Sequence, residues 1–140
     1  MSNMILPEGK LLYQLSFPIR WGDMDALGHV NNIMYFRYFE QARLDWYESL
    51  GCTALGTEPT GFVIVDNHAE YLKPLIYPAN ITVSMGGHTP GRSSFVTSYT
   101  ICDDKQLYTV GSAKVVWLDI SNNKSTPLPD NIRQMLPQLS

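Results

Sequence analysis

Two aspartates, Asp23 and Asp25, lie one residue apart in the stretch Arg20-Trp21-Gly22-Asp23-Met24-Asp25-Ala26-Leu27-Gly28-His29-Val30-Asn31-Asn32. A long helical pattern follows directly. The first turn of a helix has unpaired backbone N–H groups and a partial positive charge. A carboxylate beside such a terminus pairs a base or nucleophile with an electrophile-stabilising site, which is what acyl chemistry at a carbonyl needs. An ordinary aspartate titrates near ~3.9 and is ionised at neutral pH, so no helper base is required. Such a group can attack an acyl carbon or deprotonate a water. It can equally well only cap the helix or bind loop amides, and the residues alone leave Asp25 evenly placed between the two roles.

The helix that must position this loop is read from periodicity. From residue 32 to about 50, Tyr35, Tyr38, Phe39, Ala42 and Trp46 recur at helical spacing. Arg37, Gln41, Asp45 and Glu48 fall on the opposite side. Asn31 or Asn32 suits the N-terminal cap and Gly51 the stop. The aromatics read as core packed on a sheet, and Glu40 and Arg43, one turn apart, read as a surface ion pair. Strands are expected over residues 11–19, 62–72, 80–88, 93–102 and 106–120. Pro18 marks the first as an edge or a bend. The prolines of Lys73-Pro74-Leu75-Ile76-Tyr77-Pro78 mark a connection. Residues 122–127 read as a loop and 130–136 as a short terminal helix. The pattern is an α+β domain: one long helix and a meander-like antiparallel sheet. Both parities of the last strand are apolar, Tyr108, Val110, Val116 and Leu118 on one and Thr109, Ala113, Val115 and Trp117 on the other. A helix on one face and a partner subunit on the other would satisfy them, so a homodimer or homotetramer is expected.

Bulk properties exclude several classes. The 140 residues read as a single domain, 1–140, with no repeat or linker. A net charge of −3 and a pI near 5.5 argue against a nucleic-acid partner. No apolar run approaches the ~20 residues of a membrane span, and no membrane partner is expected. The N-terminus lacks the basic and apolar segments of a signal peptide. Cys52 and Cys102 have no metal-ligand spacing and read as free thiols of a cytoplasmic protein. Cys52 has no supporting base nearby. His29, His68 and His88 lack zinc spacing. In a calcium loop starting at Asp23, Leu27 and Met34 would stand where oxygen ligands belong. There is no Gly-x-Ser-x-Gly elbow, no Gly-x-Gly-x-x-Gly and no phosphate loop. No metal or cofactor is implied.

The segment from Asp23 to Tyr35 resembles the loop-plus-helix signature of the acyl-CoA thioesterase branch of the hotdog superfamily, the 4-hydroxybenzoyl-CoA thioesterase-like family. The likeness extends in outline over the whole chain. It implies a hotdog fold, five antiparallel strands wrapped around one long central helix, and two chains pairing with active sites between them. It maps the catalytic carboxylate onto Asp25 and the oxyanion donor onto the main-chain N–H of Asn32. His29 would orient water or Asp25, or else make a buried loop hydrogen bond. Tyr35, which ends the motif, joins the substrate-contacting candidates. In Gly91-Arg92-Ser93-Ser94, where relatives carry basic and hydroxyl groups, Arg92, Ser93 and Ser94 would hold coenzyme A, Arg92 by charge-assisted bonds to phosphate. Lys73 and Lys114 are weaker candidates. The implied activity is hydrolysis of an acyl-CoA to a carboxylic acid and coenzyme A. Two rivals stand beside it: an acyl-carrier-protein thioesterase, and a non-catalytic acyl-CoA-binding module on the same fold. Plant acyl-carrier-protein thioesterases are similar here but carry a functional Asn two residues after the Asp, where this chain has Leu27.

Overall fold

The computed structural model describes residues 5–53 and 57–138. The helix α1, Asn32–Ser49, lies within one residue of its expected bounds. Asn31, in extended backbone, caps it by accepting the Ile33 N–H at 3.2 Å. Beyond its end the Gly51 N–H returns to the Glu48 carbonyl at 3.0 Å. Its buried face is Tyr35, Tyr38, Phe39, Ala42, Trp46 and Tyr47, together with Arg43.

The strands are β1 Lys10–Pro18, β2 Thr60–Tyr71, β3 Asn80–His88, β4 Ser94–Cys102 and β5 Leu107–Asp119. A two-residue β6, Lys124–Ser125, lies in the stretch expected to be loop and pairs with β5. A short α2, Asp130–Met135, follows. All pairings are antiparallel, but the order is β1-β3-β4-β5-β2, so the sheet is not the expected meander. β2 pairs with β5 and not with its successor β3. The connection 72–79 carries the chain from the end of β2, on one edge, to the start of β3, beside β1 near the other. The helix therefore joins opposite edges and crosses the concave face. Both edges are open, β1 with its Pro18 on one side and β2 on the other.

The inner face packs Ile81, Val83 and Met85 of β3, Phe95, Tyr99 and Ile101 of β4, and Ala113, Val115 and Trp117 of β5 against α1. Phe39 stacks on Tyr99 with centroids 4.5 Å apart. Gly111 makes room for it: a Cβ there would stand 2.5 Å from Phe39 and 2.8 Å from the His68 carbonyl oxygen. Ladder hydrogen bonds fix that carbonyl, so the strain has no easy outlet. Gly111→Ala is expected to cost about 1–3 kcal/mol, the range of an overpacked core. A thermal melt should show a midpoint several degrees lower.

Two expectations about side chains need correction. Glu40 does not pair with Arg43; it lies 3.4 Å from Arg37, and Arg43 is buried. The Arg43 side chain turns under the helix, where Nη1 donates to the Tyr99 hydroxyl at 3.0 Å and the guanidinium lies 5.7 Å from that ring's centroid. Tyr99 donates onward to Thr97 Oγ1 at 2.7 Å. A guanidinium finds both a hydrogen-bond acceptor and an aromatic face there, neither of which periodicity reveals. Nor is the outer face of the sheet bare. The chain's own segment 5–8 lies over it, with Thr100 Oγ1 donating to the Ile5 carbonyl at 2.9 Å. Beneath it the face carries the buried hydroxyls of Ser84, Ser98 and Thr100.

Candidate active site

The stretch between β1 and α1 is held by its own backbone and separates the two aspartates. A 3-10 turn, Trp21–Asp23, opens it. Asp23 Oδ2 accepts the Tyr38 hydroxyl at 2.7 Å and the Arg20 N–H at 3.1 Å, and the Asp23 carbonyl accepts the Asn31 N–H at 2.9 Å. Burial, and then the bond to Asp23 and its charge, drive the Tyr38 phenol far above its ordinary range, so that it stays a donor. Asp23 is thereby committed to holding the loop on the helix.

Asp25 begins a tight loop over residues 25–29. Its N–H donates to the His29 carbonyl at 2.8 Å, and its carbonyl accepts the Gly28 N–H at 3.1 Å. Gly28 has φ +80, a conformation that glycine adopts freely. Asp25 Oδ1 accepts the Leu27 N–H at 2.9 Å and, more weakly, the His29 N–H at 3.4 Å. No partner holds Oδ2 among the described residues. One oxygen is thus anchored and the other is available.

At the helix start the Ile33 N–H is taken by Asn31 Oδ1 and the Met34 N–H by the Asn31 carbonyl at 2.9 Å. Among the described residues the Asn32 N–H has no acceptor, which leaves one uncommitted donor at the positive end of α1. The Asn32 carbonyl accepts the Tyr71 hydroxyl at 3.0 Å. The Tyr71 ring meets Tyr35 edge-on with centroids 4.9 Å apart. A cavity of about 200 Å³ opens here, lined by His29, Asn32, Tyr35, Tyr71, Lys73 and Pro74 among others. Burial raises the Tyr35 phenol most; the Leu75 backbone opposes, and the charges of Tyr71 and Asp25 add to the rise. A larger groove, about 670 Å³, runs between β1 and α1, but Asp23 lines it and Asp25 does not.

The structure brings Asp25, His29, Asn32 and Tyr35 together at one end of the sheet. His29 is exposed and not in a buried loop hydrogen bond; its bonds to Asp25 are through the main chain. Arg92, Ser93 and Ser94 lie elsewhere. The Asp25 loop is tied to the start of β3, where the Ile19 N–H meets the Ala79 carbonyl at 2.9 Å, whereas the 91–94 turn follows its end. The nine residues of β3 span about 27 Å. Within one chain these groups cannot meet. Bonds to its main chain hold that turn: the Arg92 carbonyl accepts the Leu128 N–H and the Arg133 side chain through Nη2, both at 2.9 Å. Lys114 is on β5 opposite Asp66. Lys73, ranked low on sequence grounds, and Tyr71, not singled out at all, are in the cavity wall. Their one sequence signal is position, at a strand end and just before a proline. Among the described residues no three His, Cys, Asp or Glu side chains gather to hold a metal, both cysteines are free, and no helix is long and apolar enough to cross a membrane.

Comparison with known proteins places this geometry in a family. The family model described as Thioesterase-like superfamily matches residues 19–136. The solved structure of PA2801, a putative thioesterase from Pseudomonas aeruginosa, superposes with a TM-score of 0.84 at 41% identity, covering 89% of this chain and 98% of that one. The long-chain acyl-CoA thioesterase FadM of Escherichia coli (strain K12) is 25% identical over 129 residues, 90% of this chain and 98% of FadM. The 1,4-dihydroxy-2-naphthoyl-CoA hydrolase of Synechococcus sp. (strain CC9605) is 26% identical over 131 residues, 88% of each chain. With its antiparallel sheet wrapped around one long helix and a family match over most of its length, the chain belongs to the thioesterase-like superfamily and is a hotdog-fold thioester hydrolase.

Proposed function

We propose that the protein is an acyl-CoA thioesterase in which Asp25 is the base or nucleophile and the Asn32 N–H the oxyanion donor. The observation that carries this reading is the pairing of a half-anchored carboxylate, Oδ2 free, with the uncommitted N–H of the nearby helix terminus. By one route Oδ2 attacks the thioester carbon, the C–S bond breaks, and the thiolate leaves and takes a proton. Water then hydrolyses the resulting anhydride. By the other, Oδ2 takes a proton from water as the oxygen adds to the carbon, and that proton passes to the departing thiolate. Both develop negative charge on the carbonyl oxygen, where an N–H at a helix terminus stabilises it. His29 and Tyr35 line the space beside the acyl carbon. No cofactor enters either route. A panel of acyl-CoA esters with a thiol reagent tests the reading; no thiol release from any of them would overturn it.

The active unit on this reading is a homodimer or a dimer of dimers. β1 is guarded as an edge by Lys10 and Pro18. The twelve residues of β2 contain no proline or lysine and expose Val63 and Val65. A second copy pairing antiparallel along β2 would put its own 91–94 turn at the Asp25 end of the joined sheet. Arg92, Ser93 and Ser94 would then reach a coenzyme bound at the other chain's Asp25, which no single chain allows. Light scattering at micromolar concentration should give two or four times 15.8 kDa. A fully active monomer would refute the shared site. Arg92→Ala should weaken CoA esters and spare esters of N-acetylcysteamine, which lack phosphate. If acyl-carrier-protein esters are turned over in preference to both, the carrier protein is the donor. Ligand binding without turnover would favour the binding module. The cytoplasm is the compartment that fits a substrate of this kind.

A further inference from the structure

Hydrolysis through Asp25 moves the carboxylate's charge onto the carbonyl oxygen, and it ends with the acyl carboxylate beside a regenerated Asp25. A serine–histidine site offsets its oxyanion with the imidazolium it creates. Here no imidazole bonds the Asp25 carboxylate: His29 approaches it by its main-chain N–H. The end of α1 offers the equivalent of about half a positive charge. A full cation is missing from the groups assigned so far, and one lines the cavity.

That cation is Lys73. It stands in the same wall as Asn32 and Tyr35. Among the described residues no carboxylate comes within ion-pair distance of it. Its backbone is fixed on both sides. The Leu72 and Lys73 N–H groups share the Tyr108 carbonyl at 2.9 and 3.1 Å, and the Leu75 carbonyl accepts the Val30 N–H at 2.8 Å. The neighbouring Tyr71 is anchored to the Asn32 carbonyl. Lys73 thus issues from a segment docked on the Asp25 loop and lines the same cavity as Asn32, with no countercharge at ion-pair distance among the described residues. Arg92 is at the far end of the same chain.

We infer that Lys73 supplies the positive charge at the reacting end: its ammonium group holds the developing oxyanion and then the carboxylate of the acyl product, not the phosphates of the coenzyme. The inference rests on the hydrolase reading above. It assigns a catalytic contact to a side chain that would otherwise be a solvated surface lysine.

Lys73→Met keeps most of the side chain's bulk and removes the charge; Lys73→Arg keeps the charge. Each is assayed with the CoA ester and the N-acetylcysteamine ester of one acyl group. Lys73→Met should lower kcat by about 10–10²-fold on both esters with little change in KM, somewhat below the loss of a full oxyanion donor. Lys73→Arg should restore most of it. A loss confined to the CoA ester and expressed in KM would make Lys73 a phosphate contact and overturn the inference. Unchanged kinetics would overturn it too. A second measurement needs no turnover. In Asp25→Asn protein, octanoate and benzoate are titrated with and without Lys73→Met, and affinity should fall by about 10-fold or more. Equal affinities would refute the role of Lys73 whether or not the chain hydrolyses thioesters. Weakened carboxylate binding in a protein that releases no thiol from any ester would instead refute only the hydrolase reading.

Discussion

Asp25→Asn is expected to lower kcat by at least ~10²-fold, the scale of a lost acid–base group. The substitution isolates the chemistry. An asparagine Oδ1 can still accept the Leu27 and His29 N–H groups that Asp25 Oδ1 accepts now, so the loop keeps its anchors. What is lost is the charge and basicity of Oδ2. Asp25→Ala should be at least as damaging, but it also leaves the Leu27 N–H without an acceptor, so its effect mixes chemistry with loop order. Asp23 is the control. Its carboxylate is occupied by Tyr38 and Arg20, so Asp23→Ala should appear first as a lower melting temperature. Steady-state kinetics and a thermal melt on the three variants separate the roles. Near-normal turnover in a folded Asp25→Asn protein would remove Asp25 from the mechanism.

Asn32→Pro should cost about 10²–10³-fold in kcat, the range for one oxyanion donor, while Asn32→Ala should keep most activity. The contrast follows from which atoms do the work. Alanine retains the main-chain N–H and discards only an exposed side chain. Proline removes the N–H itself. The fold should tolerate the change, because Asn32 is the first residue of α1, where proline's fixed φ is favourable. Asn31 already has the extended backbone, φ −60 and ψ 136, that a residue before proline prefers. The cap from Asn31 to the Ile33 N–H is untouched. Circular dichroism should show an intact helix in both variants. If the two have equal activity, the oxyanion is held by something other than this N–H.

Local physics made much of this molecule legible in the amino-acid sequence. Tyr35, Tyr38, Phe39, Ala42 and Trp46 marked a helix and its buried face, because only residues three and four apart share a side of an α-helix. Asn31 or Asn32 marked a cap, Gly51 a stop and Pro18 an edge or a bend, because each acts on backbone within a residue or two of itself; the fold chose Asn31 and the edge. The Asp25 loop could be read for the same reason: its bonds join residues at most four apart. Tertiary structure alone decided what lies against what. Periodicity says that a side of α1 is buried, not that Arg43 would find Tyr99 there. Strand pattern does not fix strand order, so the pairing of β2 with β5 came only from the fold. That pairing brings Tyr71 and Lys73 to the helix terminus from more than thirty residues away in sequence. The same topology leaves Arg92 a full strand length from Asp25, because a strand keeps its two ends apart whatever residues they carry.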